Sequence, residues 1–320
     1  MFCHEVRVVA AAAIALGVAV QAPAPSAAKD KVSLPPVIHI GINHSLFRDI
    51  PRALALVLME PFGGLMKSMT ELDSELSDGG DGLQLGQQLA DDKVQLGLFQ
   101  GIEFAWARQK YPKLRPLMLI INRKPYHRAY LVVNATSKIG GFADLKGQVV
   151  GIPRMSHEHC YQFLSRYCRQ QHTDTQHFLT KLAKPSTTEA GLDNVADGKL
   201  QAAIVEEVPL ECYKRRKPGR FRLLKVVQHS EIFPASVVAY YDGRLDQQTL
   251  KNLRSGMLGA PNTAIGRQLL NLWRMTGFAP IPDDFAKQVE DIVKAYPAPQ
   301  GDSKPPAKAA SAGTPGSAGR

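Results

Sequence analysis

The sequence predicts an α/β protein with mostly parallel sheets flanked by helices, and three observations lead there. Between Val37 and Pro297, short β-rich runs alternate with stretches of helical periodicity. A helix–turn–strand unit occurs at residues 89–99 and again at 195–205. The composition, 44% apolar and 21% charged, can bury a core and excludes a wholly disordered or collagen-like chain. At 320 residues the chain has room for one large or two mid-sized domains.

In chain order, residues 1–28 come first: Arg7, the unbroken apolar run Val8–Val20, and the small residues Ser26-Ala27-Ala28. That pattern reads as a secretory signal cleaved after Ala28. The run is well short of the ~20 residues that cross a bilayer, and no later stretch approaches such a length. Cys3 precedes the run and cannot serve as a lipoprotein cysteine. Strands are expected at 37–42, 95–99, 117–122, 130–134, 149–152, 202–205, 223–228 and 236–240. Helices are expected near 50–58, 83–91, 102–110, 157–170, 187–197, 209–216, 247–258, 264–276 and 283–295. The end, 298–320, is rich in Pro, Ala, Gly and Ser and reads as a disordered tail.

The repeated unit reads LADDKVQLGLF in its first copy and VADGKLQAAIV in its second. Each is a helix end, a tight turn at Asp, and a strand that delivers polar residues at its carboxyl end: Gln100 and Glu103 in one case, Glu206 and Glu207 in the other.

The formal net charge is +10, and removal of residues 1–28 takes away one cation, Arg7, and one anion, Glu5, leaving it unchanged. The tail carries Lys304, Lys308 and Arg320 against Asp302, so most of the charge sits on the body. The one basic cluster, Lys214-Arg215-Arg216-Lys217 with Arg220 and Arg222, reads as a solvated loop and lacks the interleaved aromatics of a nucleic-acid surface. Cleavage leaves Cys160, Cys168 and Cys212; the first two lie too far apart on one helix to bridge, and a bridge from either to Cys212 stays open alongside buried free thiols. No nucleophile elbow, zinc-protease motif, P-loop or Cys-x-x-Cys pair is present, so no enzyme chemistry and no cofactor is expected. Gly79-Gly80-Asp81-Gly82 reads as a flexible turn.

Four segments resemble the type 2 periplasmic binding proteins, and within them the phosphate- and phosphonate-binding group of PhnD type. They are LADDKVQLGLFQG, AYLVVNATSKIGGFADLKGQVVGIPRMS, VADGKLQAAIVEE and SEIFPASVVAYYDGRLDQQTLKNLRSGML. The resemblance implies two α/β lobes joined by two crossover strands and closing on a ligand, with residues 32–130 plus 237–297 in one lobe and 131–236 in the other. It implies an exported, monomeric solute-binding protein that captures a small anion for an ABC permease or a membrane sensor. In such sheets the ligand sits beyond the strand ends, where helix N-termini offer unpaired N–H groups.

The resemblance also implies site residues. Ser45, Phe47, Gln100 and Glu103 stand at strand ends of the first lobe, and Glu206 at a strand end of the second, where an acid would accept a hydrogen bond from the ligand. Ser156 is expected to cap the helix that follows, with His157 facing the cleft, and Arg128 can swing towards an anion. The sequence departs from the family here: Met155-Ser156-His157-Glu158-His159 replaces a Ser-Thr-Ser-Gly-like run. Two imidazoles at i and i+2 of a helix point about 200° apart, so no shared metal ion is expected. Two other readings remain open, a secreted metal-binding protein using His157 and His159, and a binding-protein fold used for protein recognition.

Overall fold

A computed structural model describes residues 37–299, so the signal segment and most of the tail lie outside the described residues. The strands are β1 Ile38–Asn43, β2 Ser74–Gly80, β3 Leu96–Phe99, β4 Leu114–Ile121, β5 Tyr126–His127, β6 Ala129–Asn134, β7 Val149–Gly151, β8 Lys181–Ala183, β9 Ala202–Glu206, β10 Leu224–His229, β11 Phe233–Pro234, β12 Ser236–Tyr241 and β13 Gly277–Ala279. The helices are α1 Arg52–Thr70, α2 Gly82–Ala90, α3 Gly101–Lys110, α4 Glu158–Gln170, α5 Thr175–Phe178, α6 Thr188–Ala196, α7 Glu207–Arg216, α8 Pro218–Phe221, α9 Gln247–Gly259, α10 Ala264–Leu272 and α11 Phe285–Ala295.

Two large sheets form, in the orders β13-β4-β12-β3-β1-β2 and β10-β6-β9-β7-β8. They are mixed rather than mostly parallel: four pairings are parallel and five antiparallel. The reason is the double crossover. The chain leaves the first sheet after β4 and returns at β12, so β6 and β12 enter their sheets against the direction of β9 and β3. The two crossing segments pair with each other, β5 with β11, placing His127 opposite Phe233. Ser230 reinforces the pairing, donating its N–H to the Ala129 carbonyl and accepting the Ala129 N–H on its hydroxyl.

Helices cover both faces of each sheet. Leu85, Phe104 and Phe285 fill one face of the first, and Phe62, Leu253 and Leu270 the other. Phe163 and Cys160 fill one face of the second, with Leu192 and Tyr213 on the opposite side.

Several elements differ from expectation, and for three the reason lies in packing or edge position. Helix α1 continues through Pro61, Gly63 and Gly64, because Ala55, Met59, Phe62, Leu65 and Met66 bury a continuous stripe that outweighs the lost hydrogen bond of the proline. Strand β2 is polar, SELSDGG, which an edge position beside β1 permits. Its Gly79-Gly80 end is no flexible turn: Gly80 has φ +73°, and Asp81 caps α2 in a reciprocal capping box with Gln84. The basic cluster is likewise structured, on α7 and α8. Arg216 and Lys217 meet Glu189 at 2.6 and 2.8 Å, Lys217 meets Asp193 at 2.8 Å, and Arg220 meets Asp197 at 2.7 Å. Acids on α6 and at its C-cap thus neutralise much of it.

Cys160 and Cys168 are buried free thiols, and Cys212 is also unpaired; its sulfur accepts a bond from Arg123 at 3.3 Å instead.

Gly101 opens α3 directly beneath the β11 crossover. A Cβ there would stand 2.1 Å from the Pro234 carbonyl oxygen and 2.5 Å from that of Ala235, both backbone atoms that cannot swing aside. Gly101→Ala is expected to lose about 2 kcal/mol of stability in urea melts, as overpacking against backbone does; an unchanged midpoint would show that the crossover does not press on α3.

Candidate functional site

The repeated unit is reproduced in three dimensions. Asp91 and Asp197 end α2 and α6 with nearly equal φ/ψ, and Asp92 and Gly198 follow in the left-handed region at φ +61° and +74°. Gln95 and Gln201 do the same work: each side-chain oxygen accepts the N–H of a neighbouring strand residue, His39 at 3.0 Å and Val149 at 3.2 Å. The equivalence extends to Gln100 and Glu206, one residue beyond the matched stretches, which occupy the N-cap positions of α3 and α7 in extended conformation.

These two side chains converge on one place, the start of α4. The Glu206 carboxylate accepts the His157 N–H at 2.8 Å, and the Gln100 side-chain oxygen accepts the Glu158 N–H at 2.6 Å. A third acceptor comes from the first sheet's side: Asp49 takes the Met155 N–H at 3.0 Å. Three N–H groups at a helix start therefore face two carboxylates and an amide oxygen, which is what the positive end of a helix dipole attracts. The helix is not capped by Ser156, whose N–H bonds the Pro153 carbonyl at 3.3 Å. The N-cap residue is His157, whose own side chain makes no capping bond, so Glu206 and Gln100 supply the acceptors that Ser156 was expected to supply.

Contacts from the first sheet's elements to the second complete the arrangement. Arg48 forms an ion pair with Glu158 and lies over the Tyr161 ring, and Lys184 reaches Asp49 at 2.7 Å. Gln100 donates its amide to the Ser45 carbonyl at 2.7 Å, while the Ser45 hydroxyl bonds Glu103 and Asn43. Phe47, Ser45, Arg48 and Glu103, with Asn43, Asp78 and Asp81, line an adjoining cavity of about 470 Å³. Ser45, Gln100, Ser156, His157 and Glu206 are thus gathered at or beside the α4 start, with Phe47 and Glu103 in the adjoining cavity. Arg128 is not brought to the three amides: it sits on the crossover beside His127 and Glu206, against the Tyr130 hydroxyl.

Sequence reasoning missed Arg48, Asp49, Lys184 and the ligating potential of His127. The first two follow Phe47 directly, and an Arg-Asp pair at a strand end was the available signal. His127 was passed over for its neighbour Arg128.

The electrostatics are those of a partly buried, mutually balanced cluster. Burial works to raise the Glu206 carboxyl, but His157, with His159 and His127 behind it, holds it well below the ordinary carboxylate range. Burial works to lower His157, and Glu206 overrides it, so this imidazole titrates above its usual value. His159 is pushed by burial down to about 4, and His127 well below its usual value by burial and its two neighbours. Asp49 is lowered: burial opposes this, and the hydrogen bonds from Lys184 and the Met155 N–H prevail. Glu103 is raised by burial despite its bonds to Ser45 and Asn43.

The expectation that His157 and His159 diverge fails because it assumed that both are helical. His157 lies outside α4, at φ −67° and ψ 162°, and its ring turns towards His159 and His127. The ligand atoms of these three imidazoles all lie within 4.8 Å of one another.

Two mixed sheets, a paired double crossover, and side chains from both sheets meeting at one helix N-terminus define a two-lobed solute-binding protein. The family model for the periplasmic substrate-binding protein of phosphonate ABC transporters matches residues 55–285, and the chain belongs to that family. Solved structures of this fold include a binding protein of an ABC phosphonate transporter from Pseudomonas aeruginosa, 18% identical over 81% of this chain and 87% of that one, TM-score 0.53. PhnD1 of Prochlorococcus marinus in complex with methylphosphonate is 17% identical over 82% and 98%, TM-score 0.55. A Xanthomonas citri protein bound to ATP is 14% identical over 82% and 97%, TM-score 0.56. No curated protein matches the chain in sequence. No helix among the described residues is long and apolar enough to cross a membrane.

Proposed function

We propose that this protein captures a small oxyanion, a phosphonate or phosphate, between its two lobes and presents it to an ABC permease or a membrane sensor. It works outside the cytoplasm, as a monomer, and performs no chemistry on its ligand. The observation that carries this reading is the α4 start, where the N–H groups of Met155, His157 and Glu158 each hold an oxygen acceptor. The carboxylates of Asp49 and Glu206 mark positions that oxyanion oxygens can take, and binding proceeds by their displacement. Gln100 and Ser45 then contact the ligand from the first lobe, with Phe47 and Glu103 bordering the cavity through which it enters. His157, whose imidazole Glu206 holds above its usual value, borders the same place, and Arg128 stands behind it on the crossover.

The test is a thermal-shift series with phosphate, phosphite, methylphosphonate, aminoethylphosphonate and sulfonates. A true ligand at a hundred times its Kd should stabilise the fold by about 2.7 kcal/mol, a shift of several degrees. If none of these anions moves the transition at millimolar concentration, the anion reading fails.

A further inference from the structure

We propose that His127, His157 and His159 form a binding site for one divalent transition-metal ion of the zinc type. The three imidazoles come from separate parts of the chain, the β5 crossover and the start of α4, and the fold brings them together. Zinc takes imidazole nitrogen at about 2.0–2.1 Å, which places the ring centres of three imidazoles on a tetrahedral ion roughly 5 Å apart. Here the centres are 4.7, 5.1 and 6.0 Å apart. The ring planes lie 9–25° from parallel, so the rings must turn about their Cβ–Cγ bonds to aim their nitrogens at one ion.

Two further observations point to a ligand. Nε2 of His127 is out of contact with solvent and has no hydrogen-bond partner, a cost that a bound cation removes. The outer partners are also those of a metal site. Glu206 holds Nδ1 of His157 at 2.9 Å, which leaves Nε2 to face an ion, and the Arg128 backbone engages the His159 ring. A carboxylate or carbonyl on the far nitrogen fixes the ring and raises its basicity as a ligand. Cys160, whose sulfur lies 3.7 Å from Nε2 of His159, is within reach as a fourth donor. Neutral imidazole suits zinc, copper, nickel and cobalt rather than magnesium or calcium. On binding, a doubly protonated His157 would release its Nε2 proton to solvent while its Nδ1–H stays hydrogen-bonded to the Glu206 carboxylate.

This inference does not rest on the anion reading, and the two fail separately. The mature protein, stripped with chelator, is titrated with Co²⁺ and then Zn²⁺. One equivalent of Co²⁺ should develop the visible d–d absorption of a four-coordinate ion, and Zn²⁺ should abolish it. His127→Gln and His157→Gln should each weaken Co²⁺ binding roughly 100-fold, whereas His177→Gln, on an exposed helix, should leave it unchanged. Glu206→Gln, which keeps an acceptor for His157, should weaken binding about tenfold and shift the Co²⁺ spectrum, a change that a purely structural role would not produce. Absence of a one-equivalent Co²⁺ band in the wild-type protein, or binding that survives both histidine replacements, would show that the three rings only pack against one another. The wild-type titration decides even if a variant fails to fold, and oxyanion titrations of the chelator-treated protein report on the other reading alone.

Discussion

Glu206→Ala is expected to cost the fold about 3 kcal/mol, the largest single loss among the site residues. One oxygen of the wild-type carboxylate accepts two bonds, from the His157 backbone N–H at 2.8 Å and from its ring Nδ1 at 2.9 Å, and only 15% of its side chain is exposed. Removing one partner of a buried ion pair leaves the other charge unpaired, which typically costs 3–5 kcal/mol. The lower figure applies because His157 keeps 31% of its side-chain exposure and water can solvate part of it. The double variant Glu206→Ala/His157→Ala should lose less than the sum of the single losses, since the second truncation removes the orphaned cation. Urea denaturation of the four proteins gives the coupling directly; strict additivity would mean that the pair does not interact.

Asp49→Asn is expected to tighten oxyanion binding about tenfold while costing about 1 kcal/mol of stability. The replacement keeps an oxygen for the Met155 N–H but removes a negative charge from the place where the ligand's oxygens go. One unit charge a few ångströms away, in a partly solvated site, is worth at least the ~1.4 kcal/mol that a tenfold change needs. The stability loss is small because the Lys184 partner is 45% exposed. It is also pH-dependent with a defined sign. The folded carboxyl titrates below its unfolded value, so its contribution is fully present above about pH 4 and vanishes as the pH falls through the folded pKa. Wild type and Asp49→Asn should therefore differ at pH 7 and converge in acid. A variant that binds more weakly, or a stability gap that widens in acid, would contradict the role given to Asp49.

Much of the fold was legible because its signals are local. The helix ends and turns at Asp91 and Asp197 are encoded by short-range chemistry, and the match between the two copies leads to Gln100 and Glu206 at equivalent N-cap positions. What escaped was decided at longer range. Strand β2 is polar because it lies at an edge, and α1 survives its proline because of packing, and neither fact can be read from a window of sequence. The site shows the same division. Residues at strand ends announce themselves, but the arrival of Asp49 at Met155, 106 residues apart, depends on how two sheets meet. The three-histidine cluster was hidden twice, by the crossover that carries His127 and by the one-residue question of where α4 begins.

The central claim is that the N–H groups opening α4 form an oxyanion receptor held shut by the protein's own carboxylates. A crystal structure grown with methylphosphonate tests it most directly. The account predicts phosphonate oxygens on the N–H groups of Met155, His157 and Glu158, with Asp49, Glu206 and the Gln100 amide oxygen turned away. Density for the ligand elsewhere, with both carboxylates still on those amides, would contradict it.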